Sequence, residues 1–107
     1  MKYNKLVRDK IPEIIADSGQ KATFRVLTQS EYIEYLEKKL DEEVAEFHES
    51  KDIEELVDIW EVILAMASVK GTSAGCLSDK RQAKYLKNGG FGKRILLLDI
   101  EDGGNHV

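Results

Sequence analysis

The fold is decided by residues 40–63, which read LDEEVAEFHESKDIEELVDIWEVI. Two stretches in which apolar residues recur at helical spacing are separated here by the polar break Ser50-Lys51-Asp52. The pattern predicts one helix over residues 30–49 and another over residues 52–70. Because the break is so short, we expect the two helices to pack antiparallel. A helical hairpin is therefore predicted at the centre of the chain.

Start and stop signals extend this prediction outward. Thr28 and Glu31 form a Thr-x-x-Glu capping box at the start of the hairpin. Pro12 and Gly19 bracket a short helix over residues 12–18. After a loop over residues 72–77, a fourth helix is predicted to begin at a cap formed by Ser78 or Asp79 and to end near Asn88.

Two short runs have β-like composition, residues 22–27 and residues 91–100, and they could pair as strands. The tail from residue 101 to residue 107 is expected to fray. The predicted fold class is mainly α: a helical bundle built on an antiparallel helix pair, with four helices and at most a small two-stranded β element. The 107 residues are enough for one domain, over residues 1–107.

Composition excludes several classes of protein. Hydrophobic residues make up 42% and charged residues 34%, as in a globular protein with a modest core. No apolar run follows Met1, and the longest obvious apolar run, residues 95–98, is far too short to span a membrane. Cys76 is the only cysteine, which excludes an internal disulfide and a cysteine metal cage. These signals predict a cytoplasmic protein with no membrane partner.

Charge is distributed unevenly. Residues 41–61 hold ten of the 20 acidic residues, and Lys51 is the only lysine or arginine among them. The sequence is therefore acidic at its centre and basic towards both ends, although its net charge is −4. This distribution suits a divalent cation at the centre with an anionic ligand beside it. A solvated, charged helix face explains the same distribution.

The third predicted helix carries two apolar stripes. One consists of Ile53, Leu56, Trp60, Ile63 and Ala67, and the other of Ile59, Val62, Met66 and Val69. A helix that is apolar almost all round is normally buried on several sides. The second stripe, followed back to the start of the helix, reaches Glu55 and Asp58. On the preceding helix, Glu43 lies at the edge of the apolar stripe and Glu46 lies next to it.

Carboxylates at such positions are costly to bury unless something neutralises their charge. Glu43 with Glu46, and Glu55 with Asp58, are each spaced as helical neighbours, and an antiparallel hairpin can bring the two pairs together. Hard oxygen ligands of this kind favour Mg²⁺, with Mn²⁺ as the alternative. Two structural explanations stay open. Glu55 could close a capping box with Asp52, and the acids of residues 42–46 could pair with Lys38 or Lys39.

These residues carry a resemblance to a known family. Glu42-Glu43-x-x-Glu46 followed by Glu55-x-x-Asp58 resembles the acidic signature of the all-α nucleoside triphosphate pyrophosphohydrolases, the MazG superfamily. The opening, residues 3–12, and the segment Lys84-x-x-Lys87-x-Gly89-Gly90-Phe91 resemble its small stand-alone house-cleaning branch. Only eight residues separate Glu46 from Glu55, which is short for the superfamily and leaves less room for a loop that recognises the base.

The resemblance implies a hydrolase that cleaves nucleoside triphosphates between the α and β phosphates, giving a nucleoside monophosphate and pyrophosphate. It implies Mg²⁺ ligands at Glu43, Glu46, Glu55 and Asp58, with Glu42 as a further acid that either assists them or holds another metal. Basic residues that could hold the phosphates are Lys5, Arg8, Lys10, Lys84, Lys93 and Arg94. Family members assemble through such helices, so a homodimer or homotetramer is expected.

Other functions compete with this interpretation. One alternative is a phosphoribosyl-ATP pyrophosphohydrolase, and another is a non-catalytic helical dimerisation or regulatory module. A di-iron carboxylate bundle is disfavoured because neither His48 nor His106 forms a Glu-x-x-His pair. Nucleic acid is disfavoured as a partner because the net charge is negative and no known reader motif is present.

Overall fold

A computed structural model describes residues 3–101. Four α-helices form in these residues: α1 (Ile11–Asp17), α2 (Gln29–Ser50), α3 (Ile53–Val69) and α4 (Ala74–Asn88). No strand forms in the same range. The prediction of a mainly α fold is therefore confirmed. None of these helices combines the length and apolar character that a crossing of a lipid bilayer requires.

Helices α2 and α3 form the predicted hairpin. Thr28 caps α2 by accepting a hydrogen bond from the Glu31 amide at 3.3 Å, and the Glu31 side chain accepts one from the Thr28 amide at 3.0 Å. At the other end of α2, Lys51 adopts a left-handed conformation with φ 59° and ψ 16°. Asp52 then caps α3 by accepting a hydrogen bond from the Glu54 amide. The capping box is thus confirmed, and two residues suffice to reverse the chain.

The hairpin is held by a narrow apolar seam. Leu36 on α2 and Val62 and Ala67 on α3 are buried. The second stripe of α3 supplies most of this seam, since Ile59, Met66 and Val69 are half-buried beside Val62. Near the other end of the pair, Ile33 and Leu36 of α2 share a groove with Met66 and Val69 of α3. The start of α2 therefore lies beside the end of α3, which confirms the antiparallel arrangement.

The first stripe of α3 has no cover within the described chain. Ile53 is 70% exposed and Trp60 is 66% exposed, and Leu56, Val57 and Ile63 are also exposed. In this stripe only Ala67 reaches the seam with α2. Helix α3 is therefore buried on one side only, whereas its sequence predicts burial on several.

The chain divides into two compact units, one that runs to Ala74 and one that begins at Gly75. The second unit contains nearly all of α4 and the segment after it, and every described residue from Ser78 onward is exposed. The prediction that α4 begins at Ser78 or Asp79 is wrong. Ser73 also belongs to a residue type that caps helices and comes earlier, and α4 begins directly after it at Ala74.

The two predicted strands are also wrong for the described residues. Residues 22–27 and residues 91–100 are irregular in backbone structure. A strand is stable only when its backbone groups pair with a neighbouring strand, and neither run has such a neighbour among residues 3–101. Apolar β-like composition did not suffice to form a sheet. Most of the tail that was expected to fray, residues 102–107, lies outside the described residues.

Candidate metal centre

Glu43 is the buried acid of the hairpin. It follows Leu36 by seven residues, or two helical turns, and so lies on the same inward face of α2. Only 5% of the residue is exposed. Lys39, one turn earlier, contacts Glu43 Oε1 through its Nζ at 3.0 Å. The other oxygen, Oε2, is buried and has no hydrogen-bond partner among the described residues.

Four further acids gather around Glu43. In one group, Glu42, Glu43 and Glu46 bring carboxylate oxygens within 4.8 Å of one another, and in a second group Glu43, Glu55 and Asp58 do the same. Glu43 belongs to both groups, so it links the acids of α2 to those of α3. We call these five residues the acidic cluster. The structure thus brings together all five predicted acids, around one buried carboxylate.

Crowding of like charges is visible in the pKa of Glu46. Loss of hydration and the negative charges of Glu43, Glu55 and Glu42 raise the pKa of Glu46 above its ordinary value. A raised carboxyl pKa means that a proton is held more tightly than in water. A positive ion placed among these carboxylates would relieve the same repulsion.

Lys39 is the cation already present in the cluster. Burial disfavours its charged form, but its hydrogen bonds and charge interactions with Glu43 and Glu42 outweigh that effect, so the pKa of Lys39 is raised. Lys39 Nζ lies 3.4 Å from Glu42 Oε1. Pairing of these acids with Lys39, one of the two structural explanations, is therefore real. It occupies a single oxygen of Glu43 and leaves Oε2 available.

The remaining structural explanations hold less well. Lys38 pairs with Glu34 at 3.5 Å, so it does not neutralise the acidic cluster. Asp52 caps α3 through the Glu54 amide, and the Glu55 side chain is instead grouped with Glu43 and Asp58.

Residues 3–10, the N-terminal segment, bring two predicted phosphate-binding residues to the acidic cluster. Arg8 Nη2 donates a hydrogen bond to Asp58 Oδ1 at 2.8 Å, and Arg8 Nη1 lies 3.9 Å from Glu61 Oε1. Lys5 Nζ lies 3.3 Å from Glu42 Oε1. Leu6 and Val7, between them, are half-buried. The part of the chain that carries Lys5 and Arg8 is thus anchored beside the cluster.

The other predicted basic residues are not brought to the cluster in the same way. Lys10 directly precedes α1 and makes no ion pair with any residue in the range 3–101. Lys84 lies on α4 in the second unit. Lys93 and Arg94 line a shallow pocket of that unit, and Arg94 has a left-handed φ of 58°. A role for these four residues in binding phosphate stays a prediction.

Two residues near the cluster were not among the predicted site residues. Glu61 follows Asp58 by three positions on α3, and Lys39 precedes Glu43 by four on α2. Residues at these spacings are neighbours on a helix surface. Helical spacing applied to each predicted ligand in turn would have found both.

The composition of the cluster fits a hard divalent cation. Every candidate ligand is a carboxylate oxygen, which Mg²⁺ and Mn²⁺ prefer and softer metals do not. A buried carboxylate oxygen without a partner is costly, and a bound cation would supply the missing partner at Glu43 Oε2. On this observation the residues present fit the metal that the family resemblance implies.

Comparisons with known proteins leave the family open. A stretch of 41 residues is 56% identical to part of an uncharacterized protein of Mycolicibacterium smegmatis, and it covers 38% of this chain and 42% of that protein. The chain therefore spans about two-fifths of the length of this curated relative. No family model matches the chain, and no solved structure matches it.

Proposed function

We propose that this chain is a Mg²⁺-dependent nucleoside triphosphate pyrophosphohydrolase. It would use one water molecule to cleave the bond between the α and β phosphates, giving a nucleoside monophosphate and pyrophosphate. The observation that carries the proposal is the buried Glu43, whose Oε2 lacks a partner at the centre of four other acids. The resemblance of the acidic signature and of residues 3–12 to the MazG superfamily supports it independently.

In this proposal each part of the cluster has a chemical task. Glu43, Glu46, Glu55 and Asp58 would hold the cation, and Glu42 would either assist them or hold a second one. The bound cation would polarise a phosphate and help to activate water. Mn²⁺ could replace Mg²⁺, because both ions accept an all-oxygen ligand set. Lys39 would keep the Glu43 carboxylate ionised and fixed through its 3.0 Å contact.

Lys5 and Arg8 would hold the phosphates of the substrate. Both lie beside the carboxylates that would hold the metal, and a metal-bound triphosphate has to occupy that neighbourhood. The planar guanidinium of Arg8 is suited to paired hydrogen bonds with phosphate oxygens. A nucleotide substrate of this kind implies action in the cytoplasm, on the cellular nucleotide pool.

A pyrophosphate-release assay tests the function. The purified protein is given a panel of canonical and damaged nucleoside triphosphates, together with phosphoribosyl-ATP, with and without Mg²⁺. We expect pyrophosphate only with Mg²⁺, and we expect Asp58→Asn to lower the rate at least a hundredfold. The matched control is Asp41→Asn, the same substitution at an exposed position of α2 outside the acidic cluster.

The panel also separates the alternatives. Preference for phosphoribosyl-ATP would assign the chain to that more specialised reaction. Stabilisation by Mg²⁺ without pyrophosphate from any substrate would favour the non-catalytic helical module. Absence of both effects would contradict the metal site itself.

We also propose that the chain acts as a homodimer or homotetramer. The exposed stripe of α3 supports this, since Ile53, Val57 and Trp60 are each more than half exposed in one chain. Contiguous apolar surface of this kind usually marks an interface. A second copy is the simplest occupant, because the same stripe on two chains can cover itself about a two-fold axis.

A further inference from the structure

The N-terminal segment neutralises part of the acidic cluster with its own cations. Arg8 contacts Asp58 at 2.8 Å, and Lys5 contacts Glu42 at 3.3 Å. Together with Lys39, these residues place three positive charges against the five carboxylates of the cluster. Two negative charges remain uncompensated, and Glu43 Oε2 remains without a partner.

We propose that Arg8 is an exchangeable counter-ion: its guanidinium pairs with Asp58 before metal binds, and moves to a phosphate of the substrate once a divalent cation has bound. This inference rests on the proposed function. It adds an order of events, because Arg8 becomes available to phosphate only when the cation has taken its place at Asp58.

Electrostatics gives the reason for the exchange. Arg8 donates to the Oδ1 of a carboxylate that would be a metal ligand. A guanidinium and a divalent cation held on the same carboxylate repel each other, and the repulsion is strong where water is partly excluded. Binding of the cation therefore weakens the contact between Arg8 and Asp58. Equally, Arg8 at Asp58 lowers the affinity of the cluster for the cation.

Exposure decides which of the three basic residues leaves. The side chain of Arg8 is 53% exposed, whereas that of Lys39 is 17% exposed and its partner Glu43 is 7% exposed. An exposed ion pair contributes little, because water solvates both partners as they separate. Arg8 therefore leaves at small cost, and Lys39 stays with Glu43. Lys5, at 43% exposed, resembles Arg8 in this respect.

The backbone keeps the released guanidinium near the site. Leu6 and Val7 are half-buried and hold the segment, so exchange requires movement of the Arg8 side chain and not of the chain itself. Arginine pairs with phosphate through two parallel hydrogen bonds, which an aspartate and a phosphate can each accept. One residue thus serves the metal-free site and the substrate-bound site in turn.

The exchange predicts opposite effects of one substitution on two ligands. Arg8→Gln removes a competitor of the cation, so we expect it to tighten Mg²⁺ binding by up to about fivefold. It also removes a phosphate partner, so we expect it to weaken inorganic pyrophosphate binding at saturating Mg²⁺ by about tenfold. A side chain that merely supported the fold would weaken both.

Calorimetric titration of the full-length protein measures both affinities at fixed ionic strength. The matched control is Lys38→Gln, which makes the same change in net charge but alters a residue that pairs with Glu34 outside the cluster. We expect Lys38→Gln to change neither affinity by more than about twofold. Equal or weaker Mg²⁺ binding by Arg8→Gln overturns the exchange and leaves the proposed function standing. No Mg²⁺ binding by the wild type overturns both.

A second measurement needs no variant beyond signal assignment. The side-chain ¹⁵N signal of Arg8 in the wild-type protein should shift when Mg²⁺ saturates the cluster, and shift again when inorganic pyrophosphate is added. Guanidinium signals report directly on the partner that accepts the hydrogen bonds. An Arg8 signal that does not move on Mg²⁺ saturation overturns the exchange, even if Arg8→Gln fails to fold.

Discussion

Asp58 and Glu43 illustrate, at the scale of single residues, two ways of tolerating a carboxylate in a packed helix pair. Asp58 is partly exposed and is paired with Arg8 from a distant part of the chain. Glu43 is buried, and one of its oxygens is paired with Lys39 from its own helix while the other has no partner. Burial without complete pairing lowers stability, so a ligand that completes the pairing should restore it.

Neutralising Asp58 should therefore separate metal binding from folding. We expect Asp58→Asn to change the free energy of unfolding of the metal-free protein by about 1 kcal/mol or less, because the pair with Arg8 is exposed. Mg²⁺ at about 100 times its dissociation constant should stabilise the wild type by about 2.7 kcal/mol. This stabilisation should be absent from Asp58→Asn and retained in Asp41→Asn. Melting curves with and without Mg²⁺ measure it, and equal responses in all three proteins would rule out Asp58 as a ligand.

At the scale of elements, both ends of α2 are fixed locally. At its start, the pKa of Glu31 is lowered to about 2 by hydrogen bonds from Arg25 and from the Thr28 amide. At its end, Lys51 takes up the left-handed conformation that reverses the chain. The hairpin thus depends on one capping arrangement and one unusual backbone conformation.

The lowered pKa of Glu31 predicts a pH-dependent contribution to stability. An acid whose pKa is lower in the folded state stabilises the fold above its unfolded value, here 4.5, and loses that contribution as the pH falls towards 2. Glu31→Gln should therefore destabilise the protein at pH 7 and make progressively less difference between pH 4.5 and pH 2. Urea unfolding across this range tests it, with Glu34→Gln as the control. A difference that is independent of pH would contradict the assignment.

The conformation of Lys51 predicts an effect that depends on the shape of the side chain. A β-branched residue is disfavoured at φ 59°, so Lys51→Val should lower the free energy of unfolding by about 1–2 kcal/mol. Lys51→Gly should cost much less. Lys70→Val is the matched control, because Lys70 also caps the end of a helix but has φ −82°. Equal losses at Lys51 and Lys70 in denaturant titrations would contradict this explanation.

The hairpin could be predicted from the sequence because its signals are local. The capping box, the polar break and the helical periodicity all act within a few residues. The start of α4 could not be resolved, because capping residues at Ser73 and at Ser78 compete and local signals do not rank them. The β-like runs failed because strand formation depends on a partner elsewhere, which composition does not specify.

The same distinction applies to the acidic cluster. Helical spacing placed the acids of α2 and α3 together, and the structure agrees. The contacts of Arg8 with Asp58 and of Lys5 with Glu42 join residues 50 and 37 positions apart, through a segment without helix or strand. No periodicity connects such residues, so their proximity to the acids could not be derived from the pattern.

At the scale of the whole molecule, the exposed apolar surface is the dominant feature. The stripe of α3 and the apolar residues 95–98 are exposed in the single chain, and the buried core contains few residues. A small domain with so little buried surface is marginally stable by itself. Association of copies through the α3 stripe would bury Trp60 and its neighbours.

Trp60 provides the test of this association. We expect the wild type to be a dimer or tetramer by light scattering at micromolar concentration, and Trp60→Glu to dissociate it by placing a charge in the interface. Because Trp60 is the only tryptophan, dilution of the wild type should also shift its fluorescence to longer wavelength. Val26→Glu, at a 95% exposed position outside the helices, is the control. A monomeric wild type would contradict the proposed assembly.

The two-residue connection at Lys51 and Asp52 also limits how the length of this protein can vary. Each residue added to a helix rotates everything after it by about 100°. One residue inserted into α3 before Glu55 would turn Glu55 and Asp58 away from Glu43, while the rest of the hairpin could re-form around shifted apolar positions. Relatives that retain the metal chemistry should therefore keep the spacing from Glu46 to Glu55, or change it only where a longer loop absorbs the difference.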